Sequence, residues 1–448
     1  MNNETGSYDV AVIGGGPGGI GAAVAAARMG KRVVLIERYP MLGGMGTAAL
    51  VNNFCPAHWD GERFIIGGIF AELRQHLIER KAIYTLTPLP TTNPILEPYN
   101  PDVFVSVVTD LCQAAGVELR LETRLTQVIF TQAQPATLQL ANGETLHAHI
   151  VVDATGDALI AQQAGVPSTF GNPQTHGVMP LTFCYMIGPI DLPAAKAGLP
   201  GAVRYDANAG EEFFYFSGWN TLVDPWIKEA RQKGELSIPR DHISAIVSIP
   251  GNPQFATVNY GRVTVQDPTD PAQLATAEEE GRQQIEEGIR FFRNYLPGLS
   301  HVELVQRARQ IGVRESRQIV GLYTLTADDI LACRQFDDCI AQCCYPIDIH
   351  EPGKDTTIMK HVPHGQHYDI PWRCLVPKDG PANLIVAGRT ISATSEAMSS
   401  FRVSPSVMAI GEAAGVTAAR AVECRCAIRD VSPLDVRHRL LETGGVLA

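Results

Sequence analysis

Hydrophobic and polar positions along the chain follow two periods, and the changes between them mark its organisation. Val10–Ile13 is a short apolar run that reads as a buried parallel strand, and Val33–Ile36 reads as a second. Between them the small residues Ile20 to Met29 read as a helix. Helical spacing then recurs twice. Phe70, Leu73, Leu77 and Ile78 share a face over 69–82, and Phe104, Val107, Val108 and Leu111 share one over 102–115. The proline-rich stretch from Thr87 to Pro101 between these helices reads as an irregular loop. From 117 the pattern shortens to strands over Val117–Leu121, Thr126–Thr131, Thr137–Leu140 and Thr145–Val152, with Asn142-Gly143 as a hairpin turn.

Residues 176 to 369 are different in kind. Short strands such as Leu181–Ile187 and Phe213–Ser217 stand among loops rich in proline and glycine. One long helix is predicted from Pro271 to Leu296, with Asp270 as N-cap and Pro297-Gly298 as its stop. Its inward residues are Leu274, Ile285, Ile289, Phe292 and Leu296. The earlier pattern then returns. A buried strand, Asn383 to Ala387, meets Gly388-Arg389, and Ser404-Pro405 open a helix to Val422, with Ser404 as N-cap and Pro405 at the first helical position.

The turn after the first strand carries the first candidate chemistry. Gly14-x-Gly16-x-x-Gly19 joins strand to helix, and Glu37 ends the second strand. Gly14 permits a tight turn, Gly16 lets backbone approach a pyrophosphate, and Gly19 lets helix and strand pack closely. Phosphates would sit on the free N–H groups of the helix, and a carboxylate at 37 can accept from a ribose diol. This points to dinucleotide binding. Two further stretches, Leu42–Ala49 and Asp153-Ala154-Thr155-Gly156-Asp157, are small enough to pass close to a ligand. The fold expected is α/β: a discontinuous Rossmann-like domain (1–50, 110–175 and 370–448) with an inserted α+β cap (176–369). Residues 51–109 form a helical and loop insertion.

Composition narrows the classes. The 448 residues allow two or three domains, and a net charge of −11 speaks against a large nucleic-acid surface, so no nucleic-acid partner is expected. Met1–Ser7 is polar and leads straight into a core strand, without the pattern of a secretory signal. Ile20–Ala27 is too short to span a bilayer. A cytoplasmic protein with no membrane span is the expectation. Cys333, Cys339, Cys343 and Cys344 cluster among ten cysteines, but no Cys-x-x-Cys occurs, so buried thiols are expected. His361, His364 and His367 are interrupted by Pro363 and Gly365, and no metal site is expected.

The later motifs are more specific. Ile311-Gly312-Val313-Arg314-Glu315-Ser316-Arg317, Tyr345-Pro346-Ile347-Asp348-Ile349-His350 and Ala387-Gly388-Arg389-Thr390-Ile391-Ser392-Ala393 stand in order. Phe401-Arg402-Val403 and Gly411-Glu412-Ala413-Ala414-Gly415 follow. With Gly14–Gly19, Leu42–Thr47 and Asp153–Gly156, they make nearly the whole chain resemble the FAD-dependent oxidoreductases of the glutathione-reductase superfamily. The likeness is to the succinate-dehydrogenase-like branch, within a group bearing the Gly-Arg-x-Ile-Ser-Ala signature. The resemblance implies FAD as the dinucleotide. Gly14, Gly16, Gly18 and Gly19 would cradle the pyrophosphate beside Pro17, and Glu37 would hold the adenosine ribose beside Arg38. Gly44, Met45 and Thr47 would lie along the flavin, and the Val128 backbone would meet the adenine. Ala154, Thr155 and Gly156 would pass the adenosine half, and Gly388 and Arg389 the ribityl–phosphate segment. Arg402, Val403, Ser406 and Val407 would supply a helix N-terminus at the flavin's pyrimidine edge, where it stabilises the charge of reduced flavin.

Candidate catalytic residues are Arg314, Tyr345, His350 and Arg402. A guanidinium orients a carboxylate or polarises a carbonyl, and a tyrosine or histidine can shuttle a proton. The alternative for Arg314, Glu315 and Arg317 is a set of charges paired along a helix face. No histidine stands in Gly43–Ala49, where the succinate-dehydrogenase branch links its flavin, so noncovalent FAD is expected. No second strand–GxGxxG–helix unit occurs, and only Cys55 follows Glu37 in that region, so neither a built-in NAD(P)H domain nor a flavin-side disulfide is expected. The function expected is hydride exchange between a small organic substrate and FAD, with the electron acceptor or donor open. The alternatives are a flavin monooxygenase and a noncatalytic or electron-relay subunit of a larger assembly.

Overall fold

The computed structural model describes residues 6–85, 96–131, 135–173, 177–217, 221–354 and 356–447. Much of the predicted loop 87–101 lies outside these residues.

The opening apolar run forms the strand Ser7–Ile13, buried between two parallel neighbours. Val10 to Ile13 pair with Val33 to Ile36 on one side, and Ile13 reaches Asp153 on the other. The sheet continues past Val33–Ile36 to Glu118–Arg120. Its central strand Thr145–Asp153 is long enough to serve two purposes. Its later half takes Leu384–Val386 in parallel, and its earlier half continues an antiparallel meander through Ala136–Leu140 to Leu125–Ile129. The return strand from the far end of the chain thus closes the sheet next to the first one, as a discontinuous α/β domain requires.

The first helix is Pro17–Arg28, three residues earlier than its apolar pattern suggested. Gly18 and Gly19 are already helical because there is no room for anything larger. A methyl at Gly19 would overlap the carbonyl of Gly14, and one at Gly18 would lie 3.2 Å from the Gly388 nitrogen. The helix crosses Ser404–Cys424 backbone to backbone. Methyl groups at Gly411 and Gly415 would overlap the carbonyls of Gly18 and Ala22. Small residues spaced four apart on both helices make this approach possible.

The later helix departs from expectation at its start. Ser404 is its first helical residue, Val403 is the extended residue before it, and no side chain caps it. The preceding helix, Ser395–Phe401, ends so close that only Arg402 and Val403 separate the two. Pro405 therefore stands second rather than first.

The inserted region forms a six-stranded antiparallel sheet. Its order is Val203–Asp206, Glu211–Ser217, Ala245–Ile249, Asn252–Asn259, Tyr185–Gly188, Glu303–Arg307. The long helix Pro271–Tyr295 lies against it with Asp270 capping the Ala272 nitrogen at 2.9 Å. Gly281 and Gly288 let it approach Phe183 and Tyr185 closely. The predicted strand from Leu181 is shorter, because Leu181 and Thr182 bridge instead to Val263 and Gly312. The helix-face alternative for Arg314, Glu315 and Arg317 is overturned: Arg317–Ile319 is a strand paired with Ser168–Phe170, held extended by that ladder.

Two main cores result. The smaller is drawn from residues between Leu181 and Ile311 and also takes in Leu50. The larger surrounds the parallel sheet and includes Ile319, Leu325, Ile340, Tyr368 and Trp372. Among the described residues no helix is long and apolar enough to cross a membrane.

Candidate functional site

The cradle is built almost wholly of backbone. Gly14 holds a left-handed φ of +104°, donates to the Ile36 carbonyl at 2.9 Å, and lies against the Ala154 carbonyl. Gly16 is different from its neighbours: a methyl placed there would meet no atom within 4 Å. It caps the first helix without a side-chain acceptor among the described residues, which leaves the first-turn N–H groups free. Gly44 closes over it, a methyl at 44 coming 3.0 Å from the Gly16 Cα. Val407 and Gly388 meet Gly18 from the other side. The structure thus brings together Gly14, Gly16, Gly18, Gly19, Gly44, Ala154, Gly388 and Val407 from five stretches of the chain. At the start of the uncapped helix the Ser406 hydroxyl is fully buried, beside the Cys343 thiol. An open glycine cradle at a helix N-terminus with no side-chain cap fits an elongated anionic cofactor.

Glu37 stands beside this cradle, 8% exposed, accepting from the Gly15 nitrogen at 2.7 Å and the Tyr39 nitrogen at 2.9 Å. Arg38 turns away from it, donating to Gln310 at 3.1 Å and covering the Tyr39 ring. Thr155 is tied to the buried Asp153, whose carboxyl burial pushes up and whose other oxygen receives the Ala161 nitrogen at 2.9 Å. The Val128 nitrogen is already engaged by Gln163 at 3.1 Å, and the Gln163 amide also donates to the Thr126 carbonyl at 3.2 Å. Arg389 lies over Gly156 but its guanidinium goes to Asp157 at 2.9 Å and to the Val313 carbonyl. Its Nε alone is buried without a partner.

The flavin-side candidates lead away from the cradle. Thr47 is buried and donates to the Leu42 carbonyl at 2.8 Å, fixing the loop that presents Met45. Met45 touches Gly312, whose added methyl would lie 3.2 Å from the thioether methyl. Two residues on, Arg314 donates to the Pro180 carbonyl at 2.6 Å. Arg402, at the junction of its two helices, sets one amino group 3.0 Å from the Met179 sulfur and the other 3.0 Å from the Asp348 carbonyl. The Asp348 carboxylate is 3.4 Å from Arg402 and 3.3 Å from His350 Nε2.

These contacts define the electrostatics. Burial pushes the Arg314 guanidinium down to about 9, aided by the like charges of Arg240 and Arg402. Burial alone would raise the Asp348 carboxyl, but His350, Arg402 and Arg314 offset it and hold it well below the usual carboxylate range. Burial pushes the His350 imidazole down to about 3. Its Nδ1 meets the Thr357 hydroxyl at 3.1 Å, so both ring nitrogens are engaged. Burial likewise pushes the Tyr345 phenol well above its ordinary value, and the neighbouring Cys55 thiol up to about 12.

Sequence reasoning passed over Asp348 and Arg240 as site residues. Asp348 had a signal: Ile347–His350 is a strand, and positions 348 and 350 share one of its faces. Arg240 had none.

A glycine cradle on a parallel sheet, with a return strand and an uncapped helix closing it, defines a dinucleotide-binding α/β protein. The chain belongs to the FAD dependent oxidoreductase family, whose model matches residues 9–440. FAD is thus the dinucleotide. Curated relatives match only short parts of it. The soluble pyridine nucleotide transhydrogenase of Mycobacterium tuberculosis (strain ATCC 25177 / H37Ra) is 58% identical over 38 residues, 8% of each chain. That of Yersinia pestis (strain Pestoides F) is 28% identical over 165 residues, 33% of this chain and 30% of that protein. The chain thus spans less than a third of either relative's length. Among solved structures, a geranylgeranyl bacteriochlorophyll reductase-like protein from Thermoplasma acidophilum aligns with a TM-score of 0.44 and 14% identity, over 98% of this chain and 83% of that one. The p-nitrophenol 4-monooxygenase of Pseudomonas putida DLL-E4 aligns with a TM-score of 0.44 and 13% identity, over 98% and 84%.

Proposed function

We propose that this protein exchanges a hydride between a small organic substrate and noncovalently held FAD. The observation that carries the reading is the convergence of Arg314 and Arg402 on Met179-Pro180, with Asp348 held against Arg402 and Gly312 bringing Met45 alongside. Buried charge of this kind is retained where it acts on something.

In this reading the free N–H groups after Gly16 receive the pyrophosphate, with Gly14, Pro17, Gly18, Gly19 and Gly44 keeping other atoms clear of it. Glu37 receives the adenosine ribose by exchanging its hydrogen bonds to Gly15 and Tyr39. Gly388 and Val407 border the middle of the cofactor, and Ser406 offers it a hydroxyl. Arg389 supports that wall through Asp157 instead of reaching the cofactor with its whole fork. Bound FAD supplies a two-electron acceptor or donor. Arg314 and Arg402 orient the substrate, and the Asp348 carboxylate accepts a hydrogen bond from its O–H or N–H group. His350, donating from Nε2, keeps Asp348 turned toward Arg402. The inserted sheet excludes water from this space.

The test is an anaerobic substrate screen that follows loss of the oxidised-flavin absorbance band. Arg314→Gln and Arg402→Gln are expected to slow that loss at least about tenfold, some 1.4 kcal/mol of barrier, while FAD stays bound. Reduction at the unaltered rate removes either residue from the site. A purified protein that shows no flavin band even when supplied with FAD sinks the whole reading.

A further inference from the structure

Three guanidiniums from distant parts of the chain surround the four residues Met179–Thr182. Arg402 meets the Met179 sulfur, and Arg314 meets the Pro180 carbonyl. Arg240 reaches the Gly261 carbonyl at 3.5 Å, the same carbonyl that accepts from the Thr182 hydroxyl at 3.0 Å. The segment is pinned between two partners, Leu181 bridging to Val263 and Thr182 to Gly312. The three cations are therefore held in one place by backbone, not by mobile loops.

Among the described residues one ion pair reaches them, from Arg402 to Asp348 at 3.4 Å. Arg240 is 2% exposed, bonds the Ser244 hydroxyl, and has an Nε with no partner. Among the described residues Arg314 has one hydrogen bond, to a neutral carbonyl, and no ion pair, and it is only half-buried. The remaining Arg314 donors are thus neither bonded nor fully covered. The carboxylate facing the three is Asp348, already shared with His350. Glu315 is close by but spends one oxygen on the Met179 nitrogen at 2.9 Å, and burial pushes its carboxyl toward the neutral form. Burying three cations against one ionised carboxylate is costly, and the cost is recovered when an anion binds.

We propose that the substrate is a small organic acid whose carboxylate is received by Arg314 and Arg240 beside Arg402. The proposal rests on the oxidoreductase reading of this same site. A carboxylate suits it better than a phosphate, because the lining also presents acceptors: the Pro180 and Asp348 carbonyls and the Asp348 carboxylate. A doubly charged phosphate would meet these with its outer oxygens. A planar monoanion matches the guanidinium fork and leaves the acceptors for a neighbouring O–H or N–H donor.

Calorimetric titration of the FAD-loaded protein tests this with malonate, succinate and benzoate against malonamide, succinamide and benzamide, with inorganic phosphate as a further ligand. At least one acid is expected to bind about tenfold or more tightly than its amide. Arg314→Gln is expected to bring the pair within about threefold, with Arg314→Lys retaining part of the preference. Arg240→Gln is expected to act in the same direction, and unchanged flavin absorbance verifies each variant's fold. Three results overturn the proposal: no acid preferred over its amide, phosphate bound more tightly than every acid, or a preference that survives Arg314→Gln. A protein that binds acids but never loses its flavin absorbance keeps this proposal and sinks hydride exchange. One that reduces its flavin only with neutral compounds does the reverse.

Discussion

At one end of the site, Gly14, Gly18, Gly19, Gly388 and Gly411 set backbone against backbone. At the other, Arg240, Arg314, Arg402 and Asp348 bring long side chains from unrelated segments to one short stretch. The first end works by what is missing, since every absent Cβ leaves space or exposes an N–H. The second works by charge that has been carried inward and left partly unmatched. A ligand-binding region made of backbone is set by the fold itself, so it changes little without unfolding. One made of side chains can be retuned residue by residue on the same frame, and choice of substrate belongs there.

The sharpest way to break this contrast is Gly19→Ala, whose methyl overlaps the Gly14 carbonyl. We expect a loss of about 3 kcal/mol or more in chemical denaturation, together with loss of FAD. A stable, FAD-binding variant would mean that the cradle is not fixed by close packing.

Glu412 tests side-chain chemistry in the frame outside both ends. It is 5% exposed and accepts from the Ile69 nitrogen at 3.0 Å. Burial raises its carboxyl from 4.5 to about 7. A carboxyl raised by folding contributes fully below its unfolded value, and that contribution is lost as pH rises through about 7. Glu412→Gln, neutral throughout, is expected to be more stable than the parent near about pH 8 by up to about 3 kcal/mol, and to match it near about pH 4. Equal pH dependence of the two in thermal unfolding would rule this out.

Gly16→Ala sharpens the contrast from the opposite direction. Its φ of −73° suits alanine and its surroundings are open, so the FAD-free protein is expected to melt within about 1 °C of the parent. FAD affinity, by equilibrium titration, is expected to fall about tenfold to a hundredfold, or about 1.4 to 2.7 kcal/mol. Unchanged affinity would remove Gly16 from the phosphate path.

The smallest effect is at Asn100, which caps the helix Pro101–Ala114 through the Asp102 and Val103 nitrogens and donates to the Pro250 carbonyl at 3.1 Å. Asn100→Ala is expected to cost about 1 kcal/mol in denaturant unfolding, with FAD affinity unchanged. A change in FAD affinity would mean that the two ends are coupled through this junction.

The same contrast explains what could be read from sequence. Gly14, Gly16, Gly19 and Glu37 were legible because strand, turn, helix and acid are neighbours in the chain, and each choice of residue has a local reason. The start of Ser404–Cys424 was misjudged by one residue because a preceding helix, invisible to capping rules, ends at Phe401. The non-helical path of Arg314–Arg317 was left open because its ladder partner, Ser168–Phe170, lies some 150 residues away. Arg240 was out of reach: its place depends on Gly261 and Thr182, which meet only after the inserted sheet has formed. The partners of His350 were out of reach too, because Asp348 and Thr357 are brought to its two ring nitrogens by a strand pair.

The crossing of Gly18 and Ala22 on Gly411 and Gly415 also bears on the order of assembly. During synthesis the first helix emerges with its glycine surface bare, and its partner follows nearly 390 residues later. Until then the Ser7–Ile13 strand has no packed roof at this crossing, and the wall formed by Gly388 and Val407 is absent. Contacts of such sequence separation form slowly, because a long loop must close before they can contribute. Nascent chains halted before residue 404 are therefore expected to hold no FAD, however complete their first glycine motif.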